Sequence, residues 1–319
     1  MGGLNTIKTT NAYGQVLYCP QCKNILKQMS GKYFCQSCAH SYPIVDGIPS
    51  FVDKDLKVNS FDASAFEFLS EMEQKHFWHI GRREIILDVL RRNIPNLAKS
   101  RMLEIGCGNG SILAYLKQNG ISIEGGDIFL EGLKFCQRRG GSTTLYQIDI
   151  MALPFHNDFD VIGMFDILEH IDEDEKALAE AAQALKSGGR IFVTVPAHKF
   201  LWSYFDVHSY HKRRYNKGEL VAKLERNGFI IKKMSYYMFF LFPLFAIIRL
   251  IGNISRKKNK EQDIKASLEV RTVPIINEVF LGLLRLERWL IRCLNLPIGA
   301  SLLVLAEKRE ESYYGNRIL

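Results

Sequence analysis

The chain has 319 residues, of which 47% are hydrophobic and 24% charged, ample for one large core with room for a second small module. Its formal charge of +8 suits an acidic partner (RNA, anionic lipid or a phosphorylated metabolite) and by itself selects none of these. The start of the chain lacks the charged head and apolar run of a secretory signal, so a cytoplasmic location, with cysteines mostly reduced, is expected.

Residues 1–14 read as a small, polar tail. The segment 15–55 holds Cys19, Cys22, Cys35 and Cys38 in the pattern C-x2-C-x12-C-x2-C, while the remaining three cysteines are scattered. Each pair sits in a turn, and two such knuckles can present four thiolates tetrahedrally to a structural Zn2+. A redox dithiol would need only one pair. The segment Ser41-Tyr42-Pro43-Ile44-Val45-Asp46-Gly47-Ile48-Pro49 that follows is similar to a zinc-ribbon family that includes small activator subunits of methyltransferases. The reading that this ribbon is only a folding staple stays open beside a functional one.

Across 60–97, the spacing of Phe66, Leu69, Met72, Phe77, Ile80, Ile85, Ile86, Val89 and Leu90 predicts a helical linker or cap, interrupted near Gly81. From 98 to 319, short β-rich runs alternate with helical stretches. That pattern predicts an α/β fold with a mostly parallel sheet, its strands at 101–105, 121–127, 143–148, 159–165, 190–195, 229–236 and 301–307. A helix over 172–186 opens on acidic residues and is expected to close at Gly188-Gly189. The connection 237–298 is far longer than a compact domain requires and is treated as an insertion.

The first of these strands ends in Leu103-Glu104-Ile105-Gly106-Cys107-Gly108-Asn109-Gly110. Glycines at 106, 108 and 110 allow a sharp turn and leave bare backbone for a ligand. The spacing is G-x-G-x-G rather than G-x-G-x-x-G, and Glu104 stands where dinucleotide binders usually keep an apolar residue. A carboxylate there can pair with the amino group of a methionine moiety. Asp127, ending the second strand, can accept both hydroxyls of a ribose, and Asp149, ending the third, can take the exocyclic amine of adenine.

Together with Phe159-Asp160-Val161-Ile162 through Glu169-His170-Ile171, and Leu185-Lys186-Ser187-Gly188-Gly189-Arg190-Ile191-Phe192-Val193, these residues resemble the class I S-adenosylmethionine-dependent methyltransferases over about 75–235. The resemblance implies a Rossmann-like sheet of seven strands with the last antiparallel. It also implies S-adenosyl-L-methionine contacts at Glu104, Gly106, Cys107, Gly108, Gly110, Asp127, Ile128, Asp149, Ile150 and Phe165.

The acceptor is sought near the end of the fourth strand. Phe165-Asp166-Ile167-Leu168-Glu169-His170 lacks the Asn/Asp-Pro-Pro-aromatic signature of adenine-N6 enzymes, and no cysteine matches the nucleophile of cytosine-C5 enzymes. His170 is a candidate base, with Glu169 beside it to orient it or bind a cation; the alternative is a packed or capping histidine. After the fifth strand come His198, Trp202, Asp206, His208, His211, Arg213, Arg214 and Tyr215. Here His208 or His211 could serve as base, while Arg213, Arg214 and Tyr215 bind substrate. A third group, His76, Phe77, Trp78, Arg82 and Arg83, could close over the cofactor.

Within the insertion, the apolar run Met234–Ile248 is flanked by Lys232, Lys233, Arg249, Arg256, Lys257, Lys258 and Lys260. It falls short of the roughly 20 residues that span a bilayer. Embedding in one leaflet, with cations toward anionic headgroups, is the reading adopted, against a buried cap or dimer interface. The stretch 275–294 repeats the theme with Arg285, Arg288 and Arg292. The expectation is an O-directed methyltransferase on a small or lipid-linked acceptor at the inner membrane face. An RNA methyltransferase and a non-catalytic cofactor-binding subunit are the competing readings.

Overall fold

The computed structural model describes residues 10, 14–52, 70–140, 143–255 and 273–310. Phe66 and Leu69 of the predicted linker pattern, and Arg256, Lys257, Lys258 and Lys260 of the predicted basic flank, lie outside the described residues.

Four short strands open the structure: β1 (Leu26–Met29), β2 (Lys32–Cys35), β3 (Ser41–Val45) and β4 (Ile48–Pro49), paired antiparallel in chain order. Their small core is Leu17, Leu26, Tyr33, Tyr42, Ile48 and Phe51. Just past β4 the chain runs along the edge of a larger sheet: Ser50 bridges Gln147 in parallel, and the Phe51 N–H donates to the Gln147 carbonyl at 2.8 Å. That contact covers an edge that would otherwise offer unpaired backbone groups.

The larger sheet contains β5 (Met102–Ile105), β6 (Ile123–Asp127), β7 (Leu145–Gln147), β8 (Phe159–Phe165), β9 (Leu185–Pro196), β10 (Phe229–Tyr237) and β11 (Ser301–Lys308), in the order β10-β11-β9-β8-β5-β6-β7. Strand β11 runs antiparallel to both neighbours; β5 through β9 pair in parallel. This is the Rossmann-like, seven-stranded methyltransferase architecture. Every side chain of β5 is buried, as strands covered on both faces require. After β7 the chain returns to the other side of β5, so the carboxyl ends of β5 and β8 flank the point where strand order reverses. Open α/β sheets bind ligands in the crevice at that point.

The covering helices are α1 (Phe77–Asn93), α2 (Ser111–Gln118), α3 (Leu130–Gly140), α4 (Asp174–Ala184), α5 (Tyr204–His208), α6 (Lys217–Arg226), α7 (Phe242–Ser255) and α8 (Pro274–Cys293). Helix α4 ends at Ala184, earlier than Gly188-Gly189, because Leu185 already pairs with Phe159 at the start of β9. Gly81 does not interrupt the linker. The break is at His76, whose ring nitrogen caps α1 by accepting the Trp78 N–H at 3.3 Å. Gly81 lies buried within α1 where a Cβ would stand 2.5 Å from Leu284 of α8, so its small size is a helix-packing requirement.

The insertion is divided differently from its sequence pattern. Met234–Tyr237 belong to β10 and are buried; of the rest of the apolar run, only the part from Phe242 onward enters α7. Helix α8 lies against α1, with Arg285 and Arg288 paired to Glu84 and Arg292 to Asp88. These arginines therefore face the two acidic side chains of α1. Asn277 of α8 accepts the Phe77 N–H at 2.8 Å and donates to the Lys75 carbonyl at 3.0 Å, holding the start of α1. Among the described residues no helix is long and apolar enough to cross a membrane.

Candidate functional site

The glycine turn after β5 is built on three left-handed residues, Gly106, Gly108 and Gly110, with φ of +76, +53 and +77°. A Cβ on Gly106 would stand 2.8 Å from Ile167, and one on Gly110 would stand 2.2 Å from Cys136 Sγ. At Gly108 a Cβ would meet nothing within 4 Å, so this is where the loop leaves space. The Gly106 and Cys107 N–H groups donate to the Gly126 carbonyl at 2.8 and 3.1 Å, fixing the turn to β6. Asp127, at the end of β6, accepts the N–H of Gly108 at 2.7 Å and of Phe129 at 2.9 Å. Burial raises its carboxyl above the usual range, against the pull of these donors.

Glu104 is 2% exposed, and its Oε2 is buried with no hydrogen-bond partner. Desolvation makes it a much weaker acid than an ordinary glutamate, raising its carboxyl well above the usual range. A buried acceptor without a partner costs stability unless a ligand supplies the missing donor. Around it, the Arg82 guanidinium stacks over Trp78, 4.5 Å from the ring centroid, and pairs with Asp166 just past β8. Asp166 itself sits at φ +55°, an uncommon conformation for a non-glycine residue and one that aims it back across the crevice. Arg139 of α3 pairs with Glu73 at 3.1 Å and reaches Asn109 in the glycine loop at 3.5 Å. Through Arg139 the segment before α1 is thus tied to the glycine loop. His76 and Phe77 instead serve α1: Phe77 packs on Phe245 and Phe280.

Of the other sequence-predicted cofactor residues, Asp149 is half-buried and accepts the Met151 N–H at 2.9 Å. The Ile128 carbonyl accepts from the Gln147 amide at 2.9 Å. Ile150 and Cys107 are buried at 6% exposure each. Phe165 turns into the sheet core, edge-on to Phe192 at 5.4 Å. The roles of Glu73, Arg139, Asn109 and Gln147 had no motif to mark them.

Beyond β8, Glu169, His170 and His211 come together, one ligand atom from each lying within 4.8 Å of the others. The His170 and His211 rings meet edge to face, centroids 4.8 Å apart. Glu169 is 1% exposed with Oε2 unpartnered. Burial, with His211 close by, lowers the His170 imidazole to about 4. His208, by contrast, is exposed at the last turn of α5, outside this cluster.

Arg213, Arg214 and Tyr215, expected to bind substrate, are turned into the protein. Arg213 donates to the Asp172 carbonyl and lies 3.2 Å from Asp174. Arg214 donates to Asp206 at 2.7 Å and to the Ala197 carbonyl at 3.0 Å. Tyr215 donates to Asp174 at 2.6 Å, with the Leu168 carbonyl 3.1 Å away. The Lys212 N–H adds a 2.7 Å bond to the Glu169 carbonyl. What looked like a substrate grip is what clamps the 198–215 loop onto the Leu168–His170 turn.

In the small sheet, Sγ of Cys19 and Cys38 are 3.6 Å apart and those of Cys22 and Cys35 3.4 Å apart, with one ligand atom from each of the four within 4.8 Å of the others. Four thiolates around a tetrahedral zinc at about 2.3 Å would be separated by about 3.8 Å, so the donor set fits that ion.

Residues 103–193 match the family model of a methyltransferase domain. The chain is 28% identical over 152 residues to a ubiquinone biosynthesis O-methyltransferase of Saccharophagus degradans, covering 44% of this chain and 63% of that protein. It is also 28% identical over 136 residues to a malonyl-[acyl-carrier protein] O-methyltransferase of Enterobacter lignolyticus, covering 42% of this chain and 53% of that one. The match thus spans less than two thirds of either relative. Among solved structures, a complex of a Haloferax volcanii methyltransferase activator with a putative methyltransferase superposes with a TM-score of 0.52 at 17% identity, covering 78% of this chain and 96% of that one. At that identity the likeness is one of fold.

Proposed function

We propose that this chain, which carries a methyltransferase domain, is an S-adenosylmethionine-dependent methyltransferase that acts on an oxygen of a small or lipid-linked acceptor. The observation that carries this reading is the position of the unpartnered, buried Glu104 at the strand-order reversal, next to an open glycine turn and one strand from the Glu169, His170 and His211 cluster. S-adenosylmethionine, when bound, supplies a methyl group already activated by a positively charged sulfur. The protein has only to hold an acceptor in line and help remove its proton.

In this reading Glu104 pairs with the ammonium of the methionyl moiety, Asp127 accepts from the ribose hydroxyls with the oxygen lone pairs left by Gly108 and Phe129, and Asp149 lies toward the adenine. The Glu169, His170 and His211 cluster activates the acceptor hydroxyl. The two relatives named for O-methylation of small or carrier-bound acceptors favour oxygen as the target.

The insertion favours an apolar acceptor. Leu244, Ile247 and Ile251 of α7, and Ile275, Val279 and Trp289 of α8, are each 42–80% exposed on faces turned away from the core. Contiguous exposed apolar side chains mark contact with membrane or partner. Among the described cations expected to meet headgroups or RNA, several have acidic partners within the protein: Lys232 pairs with Glu307, Arg249 with Asp206, and the α8 arginines with α1. Zn2+ held by Cys19, Cys22, Cys35 and Cys38 serves a structural role at the edge of the sheet.

The test is transfer of labelled methyl from S-adenosylmethionine into fractionated lysate. Label in lipid or small organic acceptors, as base-stable ethers or base-labile esters, supports the reading. Label confined to RNA or protein overturns it.

A further inference from the structure

We infer that Glu169, His170 and His211 form a binding site for a divalent metal ion, separate from the four-cysteine cluster and placed to hold the acceptor oxygen. The inference deepens the proposed function and, in its catalytic part, rests on it.

Four observations converge. The three side chains offer one carboxylate oxygen and two imidazole nitrogens within 4.8 Å of one another, a donor set that suits zinc, manganese and similar cations and leaves coordination positions open. Glu169 Oε2 is buried and unpartnered in a residue 1% exposed. His211 Nδ1 is held by Asp206 at 3.0 Å, which leaves its Nε2 for the cluster. The His170 ring is hydrogen-bonded to the backbone of Tyr210. Metal-ligating histidines characteristically have their second nitrogen fixed by a carboxylate or a backbone carbonyl, as Asp206 fixes that of His211.

Asp206 is built for this outer position. It is fully buried and also takes Arg214 at 2.7 Å and the Ser203 N–H at 2.8 Å, so it cannot swing into the cluster itself. The site needs both the turn after β8 and the 198–215 loop, which explains why that loop is clamped so completely by Arg213, Arg214 and Tyr215. An ion held by these three side chains would present positive charge to an acceptor oxygen entering an open coordination position. The acceptor hydroxyl then loses a proton to solvent at lower pH than it would in water.

The decisive experiment titrates Mn2+ into full-length, zinc-replete protein without acceptor, following bound ion by electron paramagnetic resonance. Mn2+ is chosen because thiolate sites disfavour it. Expected are one additional ion per chain with imidazole nitrogen couplings in the pulsed spectrum, loss of that ion in Glu169→Gln and His211→Ala, and affinity weakened about ten- to hundred-fold in Asp206→Asn. His208→Ala retains it. Absence of Mn2+ uptake by the wild-type chain, uptake without nitrogen couplings, or uptake that survives His211→Ala in folded protein overturns the site; the first two need no variant to fold. Mn2+ binding without any methyl transfer would instead overturn the proposed function and leave the site standing. Methyl transfer unaffected by exhaustive removal of all but the cysteine-bound ion would overturn the ion's part in the reaction and leave the proposed function standing.

Discussion

The Arg82 guanidinium and the Asp166 carboxylate pair across the crevice between α1 and the end of β8, with side chains 13% and 15% exposed. Arg82 is also the nearby cation that opposes the rise in the Glu104 carboxyl. Its replacement by Met leaves Asp166 buried without a counter-charge, and about 3 kcal/mol of unfolding free energy should be lost. The double variant Arg82→Met/Asp166→Asn should recover much of that loss, because the cost lies in the orphaned charge more than in the missing bond. Urea unfolding of the four proteins measures both; additive losses would contradict the pairing.

Glu104→Gln should separate stability from binding. Burial raises the Glu104 carboxyl well above its ordinary 4.5 in the ligand-free protein. A raised acid favours the folded state below its unfolded value and loses that contribution as pH climbs through the folded value, so ligand-free stability contributed by this group falls from about pH 4.5 upward. The amide removes this dependence. Its melting temperature without cofactor should equal or exceed that of wild type near neutral pH, while the rise on adding S-adenosylmethionine should largely vanish. Thermal melts with and without cofactor across pH test both halves.

Removing zinc should be felt at the cofactor. The Ser50 hydroxyl donates to the Gln147 side chain at 2.6 Å, and the Gln147 amide donates to the Ile128 carbonyl beside Asp127. In Cys22→Ser/Cys38→Ser the metal content should fall by one zinc per chain and amides of β7 should exchange faster. Cofactor affinity should weaken about five-fold, the scale of one disturbed hydrogen bond. Metal analysis, hydrogen exchange and calorimetry measure these in turn. Unchanged exchange in Leu145–Gln147 would mean that the small sheet folds apart from the site.

For the insertion, Ile247→Glu/Trp289→Glu should reduce sedimentation with phospholipid vesicles by more than about tenfold, as expected when two large apolar side chains no longer enter the interface. Because the described arginines of α8 have acidic partners within the protein, binding by wild type should depend only weakly on salt. Steep salt dependence would point to headgroup charge, and equal sedimentation of variant and wild type would remove the apolar face from the account.

Local chemistry alone determined several features of this protein. The seven strands were legible because strands of a sheet covered on both faces must be apolar and bounded by turns. The places of Glu104 and Asp127 at the ends of β5 and β6 beside the glycine turn were legible from the strand pattern, whereas Asp149 falls two residues past β7; the four cysteines were legible because ligand spacing is itself a sequence pattern. What the sequence left undecided depends on contacts between residues far apart in the chain. Arg213, Arg214 and Tyr215 look like a substrate grip until Asp206, Asp174 and the Leu168 carbonyl are brought against them. Arg285, Arg288 and Arg292 look like a membrane-facing stripe until Glu84 and Asp88, some two hundred positions earlier, supply their partners. A charged side chain shows its type in the sequence, but its partner, and therefore its role, is fixed only when the sheet and the insertion fold it against a particular neighbour.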